Sequence, residues 1–134
     1  VLLIGAGAIA REHVDALSRL PAPVELHVAD VRPEAAAQLA RSRAGAQAHP
    51  SVASMLAIPA RESDVVVVAT PVFAHHQNTL DALLTHRHVL CEKPLALDVT
   101  QAKQMLDAAR RVDRQLGCCS SRFLGTALAA RLRR

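Results

Sequence analysis

Tryptophan and tyrosine are absent from this 134-residue chain, and Phe73 and Phe123 are its only aromatic residues. Its core must be aliphatic, and it lacks the stacking platforms on which unpaired bases are held. A surplus of positive charge, 16 Lys and Arg against 12 Asp and Glu, does not restore a nucleic-acid reading. Much of that surplus falls from Arg110 onward, and a basic tail is not a basic groove. No nucleic-acid partner is expected. Cysteine is scarce as well: Cys91, Cys118 and Cys119 cannot pair completely and are not spaced as a disulfide framework. They read as small buried hydrophobes in a reducing compartment. No charged-then-apolar leader opens the chain and no apolar run approaches a membrane span, so a cytoplasmic location without a membrane partner is expected. The chain starts at Val1, already inside an apparent strand, as if it began a few residues late.

What remains is a chain of one domain's length, able to bury roughly two thirds of its unfolded surface. Short apolar runs at 1–4, 24–29, 65–69, 88–91 and 115–119 alternate with helical patterns at 8–20, 33–43, 73–86 and 98–112. That alternation predicts an α/β fold, a doubly wound parallel sheet. Val65-Val66-Val67-Val68 is β-branched without alternation, as a central strand covered on both faces would be. Pro33 suits a first helical turn. Asp98 is placed to cap a helix whose apolar face carries Val99, Ala102, Met105, Leu106 and Ala109. The stretch 44–62 is poorly marked, with a short strand near Ala46 to His49 and a helix from Ser51.

The first strand runs directly into Gly5-Ala6-Gly7-Ala8-Ile9-Ala10, a G-x-G-x-x-A turn opening a helix. Gly5 permits the tight turn, Gly7 removes a side chain where a pyrophosphate must approach, and Ala10 keeps helix close to strand. Ala8 and Ile9 then begin the helix whose amides and dipole face the phosphates. The second strand ends at Asp30, about where an acid accepts hydrogen bonds from the adenosine ribose hydroxyls. Asp30 favours NAD, since a carboxylate repels a 2′-phosphate, while Arg32 keeps NADP open unless it is simply a solvated loop charge. A methyltransferase could share the turn and the acid.

Later, His88-Val89-Leu90-Cys91-Glu92-Lys93-Pro94 sets a lysine between a carboxylate and a proline at a strand end. Proline biases Lys93 toward an extended backbone and makes a cis peptide accessible. His75, His76, His86 and His88 invite a metal reading, but no cysteine or carboxylate falls at a ligand spacing and no metal is expected.

Together Gly5-x-Gly7-x-x-Ala10 with His13, Ala69-Thr70-Pro71-x-x-x-His75, and Cys91-Glu92-Lys93-Pro94-Leu95-Ala96 resemble the Gfo/Idh/MocA oxidoreductases, the glucose-fructose oxidoreductase and inositol dehydrogenase family. The resemblance implies a Rossmann domain of strand order 3-2-1-4-5-6 over 1–121, with 122–134 starting a crossover into a C-terminal substrate domain that is absent. It implies Lys93 as a catalytic residue beside the nicotinamide and substrate, partly desolvated, with Glu92 holding its orientation and Pro94 completing the motif. Thr70 and Pro71 would line the cofactor cleft, and His75 would start the next helix near the dinucleotide, or else be only a polar residue of its first turn. Ser121-Arg122-Phe123 resembles an Arg-Arg-Phe element with serine at the first arginine, which makes Arg122 a contact for substrate or cofactor. His86 stands where relatives carry a glycine, weakening the expected helix cap.

The implied function is hydride transfer between NAD, or NADP, and a hydroxyl carbon of a sugar, polyol or related compound. The competing reading is a dinucleotide-binding or sensing module without turnover. Because the resemblance puts further catalytic Asp and His residues in the absent domain, this chain alone is expected to be inactive. A homo-oligomer is left open.

Overall fold

A computed structural model describes residues 1–120; Arg122 and the expected crossover at 122–134 lie outside the described residues. The chain order is β1 (Leu2–Ile4), α1 (Ala8–Ser18), β2 (His27–Ala29), α2 (Pro33–Arg41), β3 (Gln47–His49), α3 (Val52–Leu56), β4 (Val65–Val68), α4 (Val72–Leu84), β5 (His88–Glu92), α5 (Val99–Arg111) and β6 (Leu116–Cys119). Six parallel strands form one sheet in the order β3-β2-β1-β4-β5-β6, the order the resemblance implied. The chain starts at the centre, winds outward to β3, then crosses to β4 and winds outward again. The change of direction falls between β1 and β4, where a doubly wound sheet opens a crevice beyond its strand ends.

Burial on both faces explains why the strands read as unbroken apolar runs. Leu2 and Ile4 point into a core with Val66, Val68, Val89 and Cys91 that α3, α4 and α5 cover through Met55, Leu83 and Met105. Leu3 points to the other face, where Val28 and Val67 meet Ala10 and Val14 of α1 and Ala36 and Leu39 of α2. Leu3, Val28 and Val66 are 0% exposed.

Local signals act as the sequence suggests at several boundaries. Pro33 opens α2, and the Asp98 carboxylate accepts from the Gln101 amide at the start of α5. The weakly marked helix after Ser51 has its own cap: Ser51 and Ser54 exchange side-chain and backbone hydrogen bonds across the first turn of α3.

Three expectations shift. The buried face of α5 is Met105, Ala108 and Ala109, which packs toward α4 and β6, while Val99 and Leu106 are exposed. Cys91 is buried, but Cys118 is exposed and Cys119 only half-buried, since β6 is an edge strand. His86 does not forgo the glycine-type cap. It adopts φ +58° itself, and its amide donates to the Leu83 carbonyl.

Candidate functional site

The glycine turn holds its residues for different reasons. Gly5 sits at φ +102°, and a Cβ there would lie 2.6 Å from the Ala69 carbonyl oxygen, so the approach of β1 to β4 demands glycine. Gly7 has an ordinary φ of −78°, and a Cβ would meet nothing within 4 Å. Nothing among the described residues requires Gly7 to lack a side chain. It is also the N-cap of α1 and makes no side-chain capping bond, which leaves the first amides of that helix facing the cleft. Open space, free donors and a positive dipole end fit a diphosphate.

Asp30 stands beside that turn. Its Oδ2 accepts from the Ala6 amide at 2.7 Å and its Oδ1 from the Arg32 amide at 2.9 Å. The carboxylate therefore ties the end of β2 to the glycine turn before any ligand arrives, and each oxygen keeps lone-pair capacity for a hydroxyl. The Arg32 guanidinium lies 3.7 Å from Oδ1 and is mostly exposed. A cavity of about 840 Å³ opens here, lined by Gly7, Ala8, Arg11, Arg32, Gln38 and Ser42 among others.

Across the switch point, Thr70 and Pro71 follow β4 and lead into α4. His75, in the first turn of α4, is 1% exposed. Its Nε2 lies 2.7 Å from the Thr70 carbonyl and its Nδ1 2.9 Å from the Pro94 carbonyl. The ring thus bridges the segments after β4 and β5 from the inside. Asn78, one turn on, donates to the Thr70 hydroxyl at 3.2 Å.

Glu92 ends β5 with 8% exposure. Its Oε1 meets His13 Nε2 of α1 at 2.9 Å, and its Oε2 accepts from the Lys93 amide at 3.2 Å. Glu92 thus holds the main chain of Lys93, whose side chain is exposed. Among the described residues the ammonium makes no ion pair, and the Lys93–Pro94 peptide is cis.

His13 was legible only as part of the glycine-turn motif. Its place one helical turn after Ala10, on the face α1 turns to the sheet, is the signal that brings it to Glu92. Cys119, opposite Glu92 in the β5–β6 register, completes a cluster whose donor atoms all lie within 4.8 Å of one another. Burial, reinforced by the Glu92 carboxylate, pushes the Cys119 thiol up to about 12, and burial pushes Cys91 to about 11. Both are protonated at neutral pH. The histidines first considered for a metal do not converge: His88 Nδ1 accepts from the Gln115 amide, and His75 is held between carbonyls. Among the described residues no helix is long and apolar enough to cross a membrane.

Comparison with known proteins places this geometry. The profile of the GFO_IDH_MocA family, described as an oxidoreductase family with an NAD-binding Rossmann fold, matches residues 1–119. The chain is 36% identical over 110 residues to glucose-6-phosphate 3-dehydrogenase of Bacillus subtilis, a match covering 82% of this chain and 30% of that protein. It is 30% identical to inositol 2-dehydrogenase of an Arthrobacter strain, over 84% of this chain and 33% of that one. The WlbA dehydrogenase of Bordetella pertussis, solved in complex with NADH and UDP-GlcNAcA, superposes with a TM-score of 0.86 at 27% identity, over 96% of this chain and 36% of that one. The chain spans about a third of the length of the curated relatives it matches.

Proposed function

This chain belongs to the Gfo/Idh/MocA oxidoreductases, whose family profile covers residues 1–119, and on that premise we propose that it is the cofactor-holding part of a cytoplasmic dehydrogenase acting on a sugar or polyol hydroxyl. The observation that carries the reading is Gly7, which points its missing side chain into open space at an uncapped helix start. Gly7, Ala8 and Ile9 would hold the dinucleotide's diphosphate, and Asp30 its adenosine ribose. NAD is favoured over NADP because the Asp30 carboxylate, anchored by the Ala6 and Arg32 amides, cannot turn away from a 2′-phosphate.

When bound, NAD supplies the hydride acceptor. The chain's own residues position and move the proton. Thr70, Pro71 and Pro94 form the cleft wall, and His75 sets their spacing from within through the Thr70 and Pro94 carbonyls. Glu92, held by His13, fixes the main chain at Lys93 so that Nζ reaches the reacting hydroxyl and carries its proton. Relatives that act on glucose 6-phosphate and inositol make a polyhydroxylated substrate the natural class. The Lys93 ammonium, exposed and without an ion pair among the described residues, favours this over a binding module without turnover.

The test is an NADH fluorescence titration of this chain and of Gly7→Asp. The substitution brings a carboxylate to the diphosphate position and weakens binding at least about tenfold, roughly 1.4 kcal/mol, with an unchanged far-UV spectrum. Superimposable titration curves would refute the cofactor site. Lys93→Ala leaves the NADH titration of this chain within about threefold, while in a protein of the relatives' full length it lowers kcat by about a hundredfold or more. Unchanged kcat would leave a binder and exclude the proton-carrying role.

A further inference from the structure

His13, Glu92 and Cys119 come from three different elements, and nothing in the proposed dehydrogenase reaction uses them as a set. His13 projects from α1, Glu92 ends β5 and Cys119 ends β6. Glu92 and Cys119 are register partners in the parallel pair, so their side chains leave the same face of the sheet, and α1 delivers the imidazole to that face. The imidazole Nε2 and carboxylate Oε1 are 2.9 Å apart, and the thiol sulfur lies with them inside a 4.8 Å span. Ligand atoms arranged tetrahedrally around zinc at ordinary Zn–N, Zn–O and Zn–S lengths lie about 3.3 to 3.8 Å apart. The three donor atoms need only side-chain adjustments to reach that spacing.

We propose that His13 Nε2, Glu92 Oε1 and Cys119 Sγ form a site for a borderline-soft divalent cation of the zinc class. One imidazole, one carboxylate and one thiolate are ligands zinc accepts together, and a three-ligand set leaves its fourth position open. Hard cations are disfavoured, since magnesium and calcium take oxygen ligands. Glu92 is suited to bind through one oxygen, because its Oε2 is retained by the Lys93 amide and fixes the carboxylate plane. On loading, the thiol proton passes to buffer, the metal–sulfur bond forms and the cation keeps its +2 state. The filled site ties α1, which carries the glycine turn, to the ends of β5 and β6. Because loading exchanges the thiol proton for a dication, it neutralises the Glu92 carboxylate beside Lys93, which gives the cation a route to alter proton transfer there. The site itself does not rest on the cofactor reading.

The experiment is a titration of the reduced 134-residue chain with Co²⁺, which reports a thiolate ligand by a sulfur-to-cobalt charge-transfer band, followed by displacement with Zn²⁺. Saturable binding of one metal per chain is expected, with the band kept in Cys118→Ser, lost in Cys119→Ser and weakened at least about tenfold in His13→Ala. A band that survives Cys119→Ser, or that disappears in Cys118→Ser, overturns the assignment, as does the lack of saturable binding. A measurement without variants guards against misfolding: zinc should slow alkylation of Cys119 by iodoacetamide at least about tenfold while leaving exposed Cys118 reactive, as read by peptide mass spectrometry. Equal alkylation of Cys119 with and without zinc overturns the proposal. Magnesium in place of zinc should give no protection.

Discussion

The two rims of the sheet hold similar residues and use them in opposite ways. Before the strands begin, Arg87 is 0% exposed and spends its guanidinium on the chain itself: Nη1 donates to the Leu56 carbonyl at 3.1 Å, Nη2 to the Ile58 carbonyl, and Nε faces Asp64 at 3.5 Å. Nearby, His27 at the start of β2 donates to Glu25 at 3.2 Å, and its Nδ1 lies 2.9 Å from Nε2 of His49. Beyond the strand ends, Gly7 leaves helix amides uncapped and Lys93 keeps its ammonium unpaired among the described residues. One rim closes its hydrogen bonds internally and the other keeps donors in reserve. A buried polar group that is fully satisfied reads as architecture, and one that is held in place yet unspent reads as a site.

The strongest way to break that contrast is at Arg87. Arg87→Met leaves the Leu56 and Ile58 carbonyls without their guanidinium donor and Asp64 without its ion-pair partner, and should cost about 3–5 kcal/mol in urea denaturation. NADH affinity of the remaining folded chain should change little. A loss below about 1 kcal/mol would mean that the closed rim is not a structural staple.

A smaller effect separates the two glycines of the turn. Gly5→Ala meets the Ala69 carbonyl from a left-handed backbone and should destabilise by about 2–3 kcal/mol. Gly7→Ala should stay within about 0.5 kcal/mol by the same urea measurement, since its Cβ points into open space. Equal losses at both positions would erase the distinction between a glycine for the fold and a glycine for the ligand.

The smallest effect belongs to the histidine pair that joins the start of β2 to the end of β3. Burial, then the nearby His27, holds His49 below its ordinary 6.5. The unfolded chain therefore binds its proton more readily than the folded one. The His49 contribution to stability is present above pH 6.5 and is lost as pH falls through the lower folded value. Denaturation midpoints between pH 7 and 5 should fall less steeply in His49→Gln than in the parent chain. Identical slopes would show that this pair does not sense pH.

Much of the fold was readable because its signals are local. The β-branched run 65–68, the proline at 33 and the cap at Asp98 each act within a few residues, and all three took their expected places. The glycine turn was equally plain, since strand, turn and helix are contiguous. The α5 face was misread at Val99 and Leu106 because helical periodicity defines a stripe, while neighbouring elements decide which edge of it is covered. His86 shows the converse: a residue that looks wrong for a cap takes the left-handed angle because the turn into β5 requires it.

By itself the sequence determined the alternation of elements, the dinucleotide turn and the family to which the chain belongs, because each is written in residues adjacent along the chain. The tertiary structure decided the partnerships. It turned Glu92 to His13 and the Lys93 amide, drew His75 inward to two carbonyls, and set Cys119 opposite Glu92. The His13–Glu92, His75–Pro94 and Glu92–Cys119 contacts join residues far apart in the chain, by 79 positions for His13 and Glu92. No local pattern encodes them: they arise when packing on both faces of the sheet fixes where each strand and helix ends.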